Sequence, residues 1–501
     1  MMGFIPEAKS NPIQRPRLLV VGAGVAGQSL VKEIQADKLP VQPVAFLDDD
    51  PTLQGKEICG LPVVGGTGDL LTAARQTGAQ EVLLAIPSSG GTLVRRLVIL
   101  CKRAGLPFRI VPGLRAIIEG DVHFGHVAPV APEHLLGRET VVFQDQQAAS
   151  VVAGRCVLVT GAGGSIGGEL CRQILSLRPR RMLLLGRGEN SIFEMLTELE
   201  PRAGDTELIP IIADVRAGDR MDRLAESYHP DIVLHAAAHK HVPLMENHPD
   251  EAVLVNVGGT ANVIRFARRA GAERFVLIST DKAVQPASVM GATKKLAEMT
   301  VRAAAAEEPN GTRLMIVRFG NVLGSRGSVV PFFMKRIAAG LPLPVTDPRM
   351  TRYFMTIKEA AQLVIEAMVM GERGMTYILE MGKPVSILEL AENLLALSGF
   401  DPADGGGGPG ISFTGLRPGE RLHEILNEPG EDLVASDHPL IRRARPRGAA
   451  AVLPAADRQA LCDLARQGAV APLRRKLASL LDNPELETGP CILSATPKDT
   501  P

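Results

Sequence analysis

Net charge, long apolar runs and paired cysteines are all scarce in this 501-residue sequence. Lys and Arg number 55 together, as do Asp and Glu, and this balance argues against a nucleic-acid-binding surface. No window of about 18 apolar residues occurs, so we expect no integral membrane span, while peripheral association stays open. The six cysteines form no C-x-x-C pair and follow no secretory signal, which predicts reduced thiols and a cytoplasmic location.

Aromatic residues are few as well, since tryptophan is missing and only three tyrosines occur. None of Tyr228, Tyr353 and Tyr377 has a lysine four residues later, the spacing that puts two side chains on one helical face. This disfavours a simple tyrosine-dependent alcohol dehydrogenase. Four histidines gather between positions 235 and 248, but no H-E-x-x-H motif or cysteine partner accompanies them, so we expect no metal site.

Glycine is plentiful, and the stretch at 157–174, VLVTGAGGSIGGELCRQI, predicts a strand, a tight turn and a helix. In such motifs the first glycine (Gly161) permits the turn and the next (Gly164) lets the backbone approach a pyrophosphate. The last (Gly167) allows close helix–strand packing, and the helix N-terminus, at Ser165 and Ile166, supplies partial positive charge. We predict a dinucleotide-binding turn here; a glycine-rich turn that binds nothing is the alternative.

An earlier stretch repeats this pattern, with Gly22, Gly24 and Gly27 in G-x-G-x-x-G spacing after an apolar run. The next predicted strand, at 43–47, ends in Asp48, where an acid would bind a ribose. Alternating strands and amphipathic helices predict a small doubly wound domain. Nucleotide binding and a role in assembly alone are equally open for this domain.

The sequence therefore predicts an α/β protein with two Rossmann-like doubly wound domains. The expected divisions are an N-terminal tail at 1–16, the first domain at 17–112, a linker at 113–150, a larger catalytic domain at 151–445 and a partly disordered C-terminal extension at 446–501. Segments 331–347 and 411–424 are expected to be loop-rich substrate cover. A pair of helices is expected at 456–481.

Candidate chemistry follows two strands of the larger domain. The small residues Ala236–Ala238 end one strand, where small side chains let a cofactor approach. The next strand ends in Thr280, Asp281 and Lys282, a hydroxyl, a carboxylate and an amine that can orient, protonate and deprotonate one substrate. A surface turn could carry the same residues. Lys294 follows at the start of a helix, inside the motif MGATK.

A series of motifs extends through 157–426 in a fixed order. These motifs are TGAGGSIGGEL, ADVR, HAAAHKHVPLME, NVGGT, STDKAVQP, MGATK, RFGNVLGSRGSV, RYFMT and RPGE. With them the sequence resembles the bacterial UDP-N-acetylglucosamine 4,6-dehydratase family of polysaccharide biosynthesis, the CapD-like group of extended short-chain dehydrogenases. Long members of that family have Met, as at Met290 here, where short members have Tyr, and they usually begin with transmembrane helices, for which this sequence offers no apolar run.

The resemblance implies a role for each matching position. Implied cofactor contacts come from Gly161, Gly164, Ser165, Ile166, Gly167, Arg187, Asp214, Val215, Ala236, Ala237, Ala238, Asn256 and Lys294. Implied substrate contacts come from Lys240, His241, Asn321, Arg326, Ser328, Arg417 and Glu420. Implied catalytic residues are Thr280, Asp281, Lys282, Lys294 and Met290. Because Arg187 stands where NAD-binding members usually have Asp, NADP is the alternative to NAD, which we favour since this enzyme type keeps its cofactor through an internal redox cycle.

The implied reaction converts a UDP-N-acetylhexosamine, with UDP-N-acetylglucosamine favoured, to a UDP-4-keto-6-deoxy sugar. Oxidised cofactor takes hydride from carbon 4 and returns it to carbon 6, while Lys282 removes the carbon 5 proton and Asp281 protonates the leaving hydroxyl. Thr280 and Lys294 position the carbon 4 hydroxyl and the cofactor ribose. A nucleotide-sugar 4-epimerase and a non-enzymatic NAD(P)-binding sensor are the alternatives, and a homo-oligomer is expected.

Overall fold

The computed structural model describes residues 15–36, 39–86, 91–110, 128–129, 146–398, 400 and 409–488. They divide into two units. The first unit comprises Met1–Val141, Arg336–Leu343 and Leu390–Gly410, and the second comprises Val142–Lys335, Pro344–Glu389 and Ile411–Pro501. Most of the expected linker and the last residues of the expected C-terminal tail lie outside the described residues.

The first unit is built on a five-stranded sheet. Its strands are β1 (Arg17–Val21), β2 (Gln42–Leu47), β5 (Glu81–Leu84), β6 (Phe108–Ile110) and β7 (Ala128–Pro129), beside a short hairpin of β3 (Glu57–Ile58) and β4 (Leu61–Pro62). The order is β2-β1-β5-β6-β7, parallel except for β7. Helices α1 (Val25–Ala36), α2 (Leu70–Thr77) and α3 (Gly91–Arg103) complete the unit, so the doubly wound prediction is confirmed.

The glycine turn of the first unit makes close contacts with the ends of the neighbouring strands. Gly22 has φ +103°, and a Cβ there would lie 2.4 Å from the carbonyl oxygen of Ala85, so only glycine fits. Asp48, the predicted ribose-binding acid, accepts a 2.7 Å hydrogen bond from the backbone N–H of Ala23 in that turn. Its other oxygen accepts from the backbone N–H of Asp50 at 2.9 Å, so both oxygens of this carboxylate are used within the protein.

The second unit contains a nine-stranded sheet. Its members are β8 (Cys156–Thr160), β9 (Arg181–Gly186), β10 (Glu207–Ile212), β11 (Ile232–His235), β12 (Arg274–Thr280), β13 (Arg313–Phe319), β18 (Thr376–Leu379), β21 (Glu431–Ala435) and β22 (Ile441–Pro446). The order is β10-β9-β8-β11-β12-β13-β18-β22-β21. All pairs are parallel up to β18, and β22 and β21 add an antiparallel edge. The order reverses between β8 and β11, which is the switch point where ligands of open α/β sheets bind.

Continuous apolar runs form these strands because helices cover both faces of the sheet. All five residues of β8 are buried; Val157 and Val159 pack into one apolar cluster, while Cys156 and Leu158 pack into another. The helices of the second unit are α4 (Gln146–Val152), α5 (Ser165–Ser176), α6 (Glu189–Leu199), α7 (Gly218–Tyr228), α8 (Val242–Asn247), α9 (Pro249–Val253), α10 (Thr260–Arg269), α11 (Val289–Glu307), α13 (Ile357–Met370), α15 (Ala455–Arg466) and α16 (Val470–Leu481). Helices α12 (Val329–Ala338) and α14 (Ile387–Leu397) each contain residues of both units. A π-helical segment, Leu254–Gly259, precedes α10.

Short strands lie outside the main sheets, at β14 (Asn321–Val322), β15 (Leu343–Val345), β16 (Thr351–Arg352), β17 (Phe354–Met355), β19 (Val385–Ser386) and β20 (Ile411–Phe413). The expectation of a loop-rich segment at 331–347 is wrong for its first part, because α12 runs to Ala338. Val330 and Phe333, one turn apart, are buried on one face of that helix. The expected C-terminal helix pair is present as α15 and α16. Among the described helices, none has the length and apolar character needed to cross a membrane.

Candidate active site

The glycine turn after β8, which we call the glycine cradle, has no room for side chains at two of its glycines. Gly161 has φ +69°, and a Cβ there would lie 2.8 Å from the backbone nitrogen of Ala237, at the end of β11. A Cβ on Gly167 would lie 2.1 Å from the carbonyl oxygen of Gly161. Gly164 caps the N-terminus of α5 without a side-chain hydrogen bond, so the amides of that helix start remain directed outward. The turn has the geometry that phosphate binding at a helix N-terminus requires.

A cleft of about 380 Å³ opens beside this turn. Predicted cofactor residues that line it are Gly161, Gly164, Arg187, Asp214, Val215, Ala236, Ala237 and Ala238. Its lining also contains positions that sequence reasoning missed, namely Gly163, Leu185, Gly186, Ser191, Ala213, His239 and Val255. Ser165, Ile166, Gly167, Asn256 and Lys294 support the cleft without lining it. The glycine-rich motif that contains Gly163 could have indicated it as a cleft residue. Ser191 comes from α6, and no motif indicated it.

Two arginines and an aspartate form an ion-pair group at the cleft. The side chain of Arg187 is 61% exposed, and its Nη1 lies 4.0 Å from Asp214 Oδ2. Asp214 also accepts hydrogen bonds of 2.9 and 2.7 Å from the guanidinium of Arg216. Burial would raise the pKa of Asp214, but these bonds from Arg216 outweigh it and the net pKa is lowered. Arg187 therefore meets a carboxylate, and its contact with a 2′-phosphate stays a prediction.

A hydrogen-bonded chain fixes His235 beneath the cleft. Thr260 Oγ1 donates to the carbonyl of Asn256 at 2.6 Å, so it accepts from His235 Nε2 at 3.1 Å. Nδ1 then accepts from Thr160 Oγ1 at 2.7 Å, and Thr160 accepts from the N–H of Ala237. Burial, reinforced by the charge of Lys294, lowers the pKa of His235 to about 3, so its ring is neutral. His235 therefore positions the end of β11.

The loop after β11 is held from a second side. Asn256 accepts from the backbone N–H of His239 at 2.8 Å and donates to its carbonyl at 3.1 Å. Its Nδ2 also donates to Thr293 Oγ1 at 3.0 Å, next to Lys294. Asn256 thus ties the cleft to α11. Among the described residues, no group of three or more His, Cys, Asp or Glu side chains has the arrangement of a metal site.

The end of β12 brings the predicted catalytic residues together. Lys282 Nζ lies 2.9 Å from Asp281 Oδ1 and 3.0 Å from Asn321 Oδ1. Thr280 Oγ1 donates to the same Asp281 oxygen at 2.8 Å. Asp281 is 0% exposed, and its Oδ2 has no hydrogen-bond partner among the described residues. The strand end therefore holds an amine, a hydroxyl and a buried carboxylate oxygen with free accepting capacity.

Helix α11 carries the other two predicted catalytic residues. Lys294 Nζ donates to the carbonyl of Ile278 on β12 at 2.6 Å, and burial lowers the pKa of Lys294 to about 8, against the opposing effect of Glu298. Met290 is 2% exposed and packs in an apolar cluster with Leu461 and Leu477 of the C-terminal helices. The surroundings of Met290 are those of a packed core residue.

The predicted substrate residues fall into separate groups. Lys240 Nζ lies 3.4 Å from Ser325 Oγ, and a Cβ on Gly327 would meet the ring of His241 at 2.8 Å. Arg326 instead folds over the glycine turn, with its Nη1 3.0 Å from the carbonyl of Gly163, and lines the cofactor cleft. Asn321 lies in the catalytic group described above, beside Lys282.

Ser328 and the RPGE turn complete that set. Ser328 Oγ is buried with no partner among the described residues. Arg417 and Glu420 form a turn closed by a 3.0 Å backbone bond from the N–H of Glu420 to the carbonyl of Arg417. The turn's Gly419 packs close to Ser288, just before α11. The structure brings this turn to the start of the catalytic helix, and its contact with a nucleotide stays a prediction.

Sequence reasoning missed one charged residue of this centre, Glu424. Its Oε1 lies 3.8 Å from Lys282 Nζ and 3.7 Å from Arg352 Nε. The residue is 9% exposed. It stands within the segment expected to be substrate cover, and a charge in such a segment carries no signal of a contact 142 positions away in the chain.

The sheet order, the glycine turn at the switch point and the lysine on α11 define an extended short-chain dehydrogenase fold preceded by a second Rossmann-like unit. A family model described as polysaccharide biosynthesis protein matches residues 157–446, and the chain belongs to this family. A model described as a CoA-binding domain matches residues 8–112.

The sequence is also similar to three curated proteins. It is 46% identical over 412 residues to the probable polysaccharide biosynthesis protein EpsC of Bacillus subtilis, covering 82% of this chain and 68% of that one. It is 41% identical over 419 residues to the capsular polysaccharide biosynthesis protein CapD of Staphylococcus aureus, covering 83% and 69%. It is 34% identical over 278 residues to a UDP-N-acetylglucosamine 4,6-dehydratase (inverting) of Campylobacter jejuni, covering 54% and 77%.

Among solved structures, the chain is similar to Pen from Bacillus thuringiensis, with 30% identity and a TM-score of 0.53. That match covers 63% of this chain and 98% of Pen. The comparisons therefore confirm the family predicted from the ordered motifs and the fold class predicted with it.

Proposed function

We propose that the second unit is an NAD-dependent nucleotide-sugar 4,6-dehydratase that acts on a UDP-N-acetylhexosamine, with UDP-N-acetylglucosamine as the favoured substrate. The observation that carries this proposal is the group at the end of β12, where Lys282 Nζ lies within 3.0 Å of both Asp281 and Asn321. An amine and a carboxylate that share one strand end can take and give protons on adjacent carbons of one sugar. The 34% identity to a UDP-N-acetylglucosamine 4,6-dehydratase supports the choice of substrate.

The glycine cradle fits the cofactor. A Cβ at Gly161, Gly163 or Gly167 would lie within 2.8 Å of neighbouring protein atoms, so the turn admits no side chain there. The adjoining cleft has a volume of about 380 Å³. Gly164 and the start of α5 would hold the pyrophosphate, and the cleft walls at Asp214 and Val215 would hold the adenosine end. When bound, NAD would supply an acceptor for the hydride of carbon 4 and, once reduced, the donor of that hydride to carbon 6 of the sugar.

The protein's own residues manage the protons. In the proposed reaction Lys282 takes the proton from carbon 5, which the ketone at carbon 4 acidifies, and later returns a proton there. Asp281 donates the proton with which the carbon 6 hydroxyl leaves as water, and Thr280 orients the carbon 4 hydroxyl. The proton lost from that hydroxyl replaces the one Asp281 gave, so the sugar loses one water in total. Lys294 would hold the cofactor ribose.

The experiment is a mass-resolved turnover assay with NAD and a panel of nucleotide sugars. A dehydratase converts UDP-N-acetylglucosamine to a product lighter by one water. A product of unchanged mass with inverted carbon 4 would instead make the chain a 4-epimerase, and no turnover of any sugar would reject an enzymatic role. Lys282→Ala and Asp281→Asn should each lower turnover by about 10²-fold or more, the loss typical of proton-transfer groups, with folding retained.

A further inference from the structure

The Nζ of Lys282 lies near three side-chain oxygens, and two of these belong to residues in the motifs that match the family. An ammonium has three donors. Asp281 Oδ1 and Asn321 Oδ1 accept two of them at 2.9 and 3.0 Å. Glu424 Oε1 stands at 3.8 Å, beyond a direct hydrogen bond but within ion-pair distance. A second carboxylate, from a distant segment of the chain, therefore lies within ion-pair distance of the amine.

The carboxylate of Glu424 is held in place by Arg352. Nη1 and Nη2 of Arg352 donate to the backbone carbonyls of Thr351, Leu422 and Arg421 at 2.7, 3.1 and 2.8 Å. This leaves Nε, which lies 3.7 Å from Glu424 Oε1. Because Arg352 clamps the chain directly before Glu424, the position of this carboxylate is fixed by buried contacts and not by a free side chain.

We propose that Glu424 is a positioning residue for Lys282, and that the segment expected to cover the substrate thereby contributes a charge to the proton-transfer centre. This inference rests on the proposed dehydratase function. Asp281 alone would leave the flexible lysine side chain one charged neighbour, on its own strand turn. Glu424 adds an attraction from another segment, which holds and stabilises the ammonium that forms as Lys282 takes the carbon 5 proton. Its loss should impair the carbon 5 proton transfer and leave nucleotide-sugar binding intact.

The test compares Glu424→Gln with Glu428→Gln. Glu428 is a matched control because it pairs with another lysine, Lys295, on the same stretch and makes no recorded contact with Lys282. Glu424→Gln should lower kcat by roughly 10- to 100-fold, as expected when a reacting group is misplaced, with KM little changed. Deuterium at carbon 5 of the substrate should slow this variant more than wild type, while the effect of deuterium at carbon 4 should not increase.

Glu424→Asp should restore part of kcat, because the charge is kept and only reach is lost. An unchanged kcat and an unchanged carbon 5 isotope effect in Glu424→Gln would overturn the proposal. So would an equal loss in Glu428→Gln, which would indicate damage to folding alone. Melting temperatures of all three variants identify any that fail to fold, and Glu424→Asp then carries the comparison.

A second readout separates this inference from the proposed function. Lys282 is 20% exposed in its side chain, so an amine-reactive reagent reaches it, and peptide mass spectrometry reports its labelling rate. Removing the carboxylate of Glu424 should raise that rate several-fold relative to wild type, and Glu428→Gln should not. If wild type turns over no nucleotide sugar, the dehydratase proposal fails, while the labelling result still decides whether Glu424 holds Lys282.

Discussion

Replacing Glu298 with Gln would remove one charge from a network buried between α11 and the sheet. Glu298 Oε1 accepts from Ser279 Oγ and from Arg318 Nε, both at 2.7 Å, and Oε2 accepts from Arg318 Nη2 at 2.6 Å. Arg318 Nη1 donates to Glu431 Oε2 at 2.7 Å. Glu298 lies one helical turn after Lys294, so this network seats the catalytic helix on β12 and β13.

The cost of the substitution follows from burial. Glu298 and Arg318 are both fully buried, and removing one partner of a buried pair costs about 3–5 kcal/mol. Arg318 keeps its ion pair with Glu431, so the lower end of this range is expected. For a unit of roughly 330 residues, an unfolding entropy of about 2.1 cal/mol/K per residue makes each kcal/mol worth about 1.5 °C, so the melting temperature should fall by about 5 °C. Glu307→Gln is the control, because its pair with Arg268 is exposed on the surface and is worth about 1 kcal/mol or less.

The pH dependence gives a second check. Burial would raise the pKa of Glu298, but the charge and hydrogen bonds of Arg318 outweigh it and lower this pKa to about 2. A carboxylate with a lowered folded pKa stabilises the protein above its unfolded pKa, about 4.3, and this stability is lost as pH falls toward about 2. Calorimetry should therefore show the wild-type advantage over Glu298→Gln shrinking below about pH 4. Equal losses in Glu298→Gln and Glu307→Gln at pH 7 would refute this reasoning.

Three further outcomes are expected. Gly164→Val should reduce the NAD extracted from purified protein because it puts a side chain at the pyrophosphate cradle; undiminished cofactor would mean that the wrong turn was chosen. Met290→Ala should lower the melting temperature, through a cavity costing about 2–5 kcal/mol, yet lose less turnover per folded molecule than Lys282→Ala. Arg474→Ala should leave the buried Glu246 without its 2.9 Å partner and speed amide exchange at the start of α11, which hydrogen-exchange mass spectrometry measures.

Short-range patterns predicted the strands and the glycine turn because the same residues that form these elements also bury them. The run at 157–159 extends in the structure to Cys156–Thr160 with every residue buried. The strand predicted to end at the small residues Ala236–Ala238 is present as Ile232–His235, directly before them. Hydrophobic runs between turn signals are sufficient where both faces of a parallel sheet are covered.

Contacts between distant segments could not be predicted in this way. The ion pair of Arg318 with Glu298 joins a strand to a helix, and its third member, Glu431, comes from the antiparallel edge. Nothing in the local pattern around Glu424 distinguishes it from the other charged residues of its segment. The helix α12 was missed because Pro331 interrupts its apolar run, with glycines before and after the helix, and this indicated a loop. The burial of Val330 and Phe333 favours the helix.

The contacts that fix α11 explain why the helix does not need a tyrosine at position 290. Glu246 accepts from the N–H that starts the helix at 2.7 Å, Lys294 donates to the backbone of β12 at 2.6 Å, and Glu298 binds the same strand at 2.7 Å. These three polar contacts fix the helix without any polar group at Met290, whose side chain packs instead against the C-terminal helices. Since neither Lys282 nor Asp281 nor Glu424 lies on α11, the proposed proton transfer needs no group from that helix, and position 290 is free to serve packing.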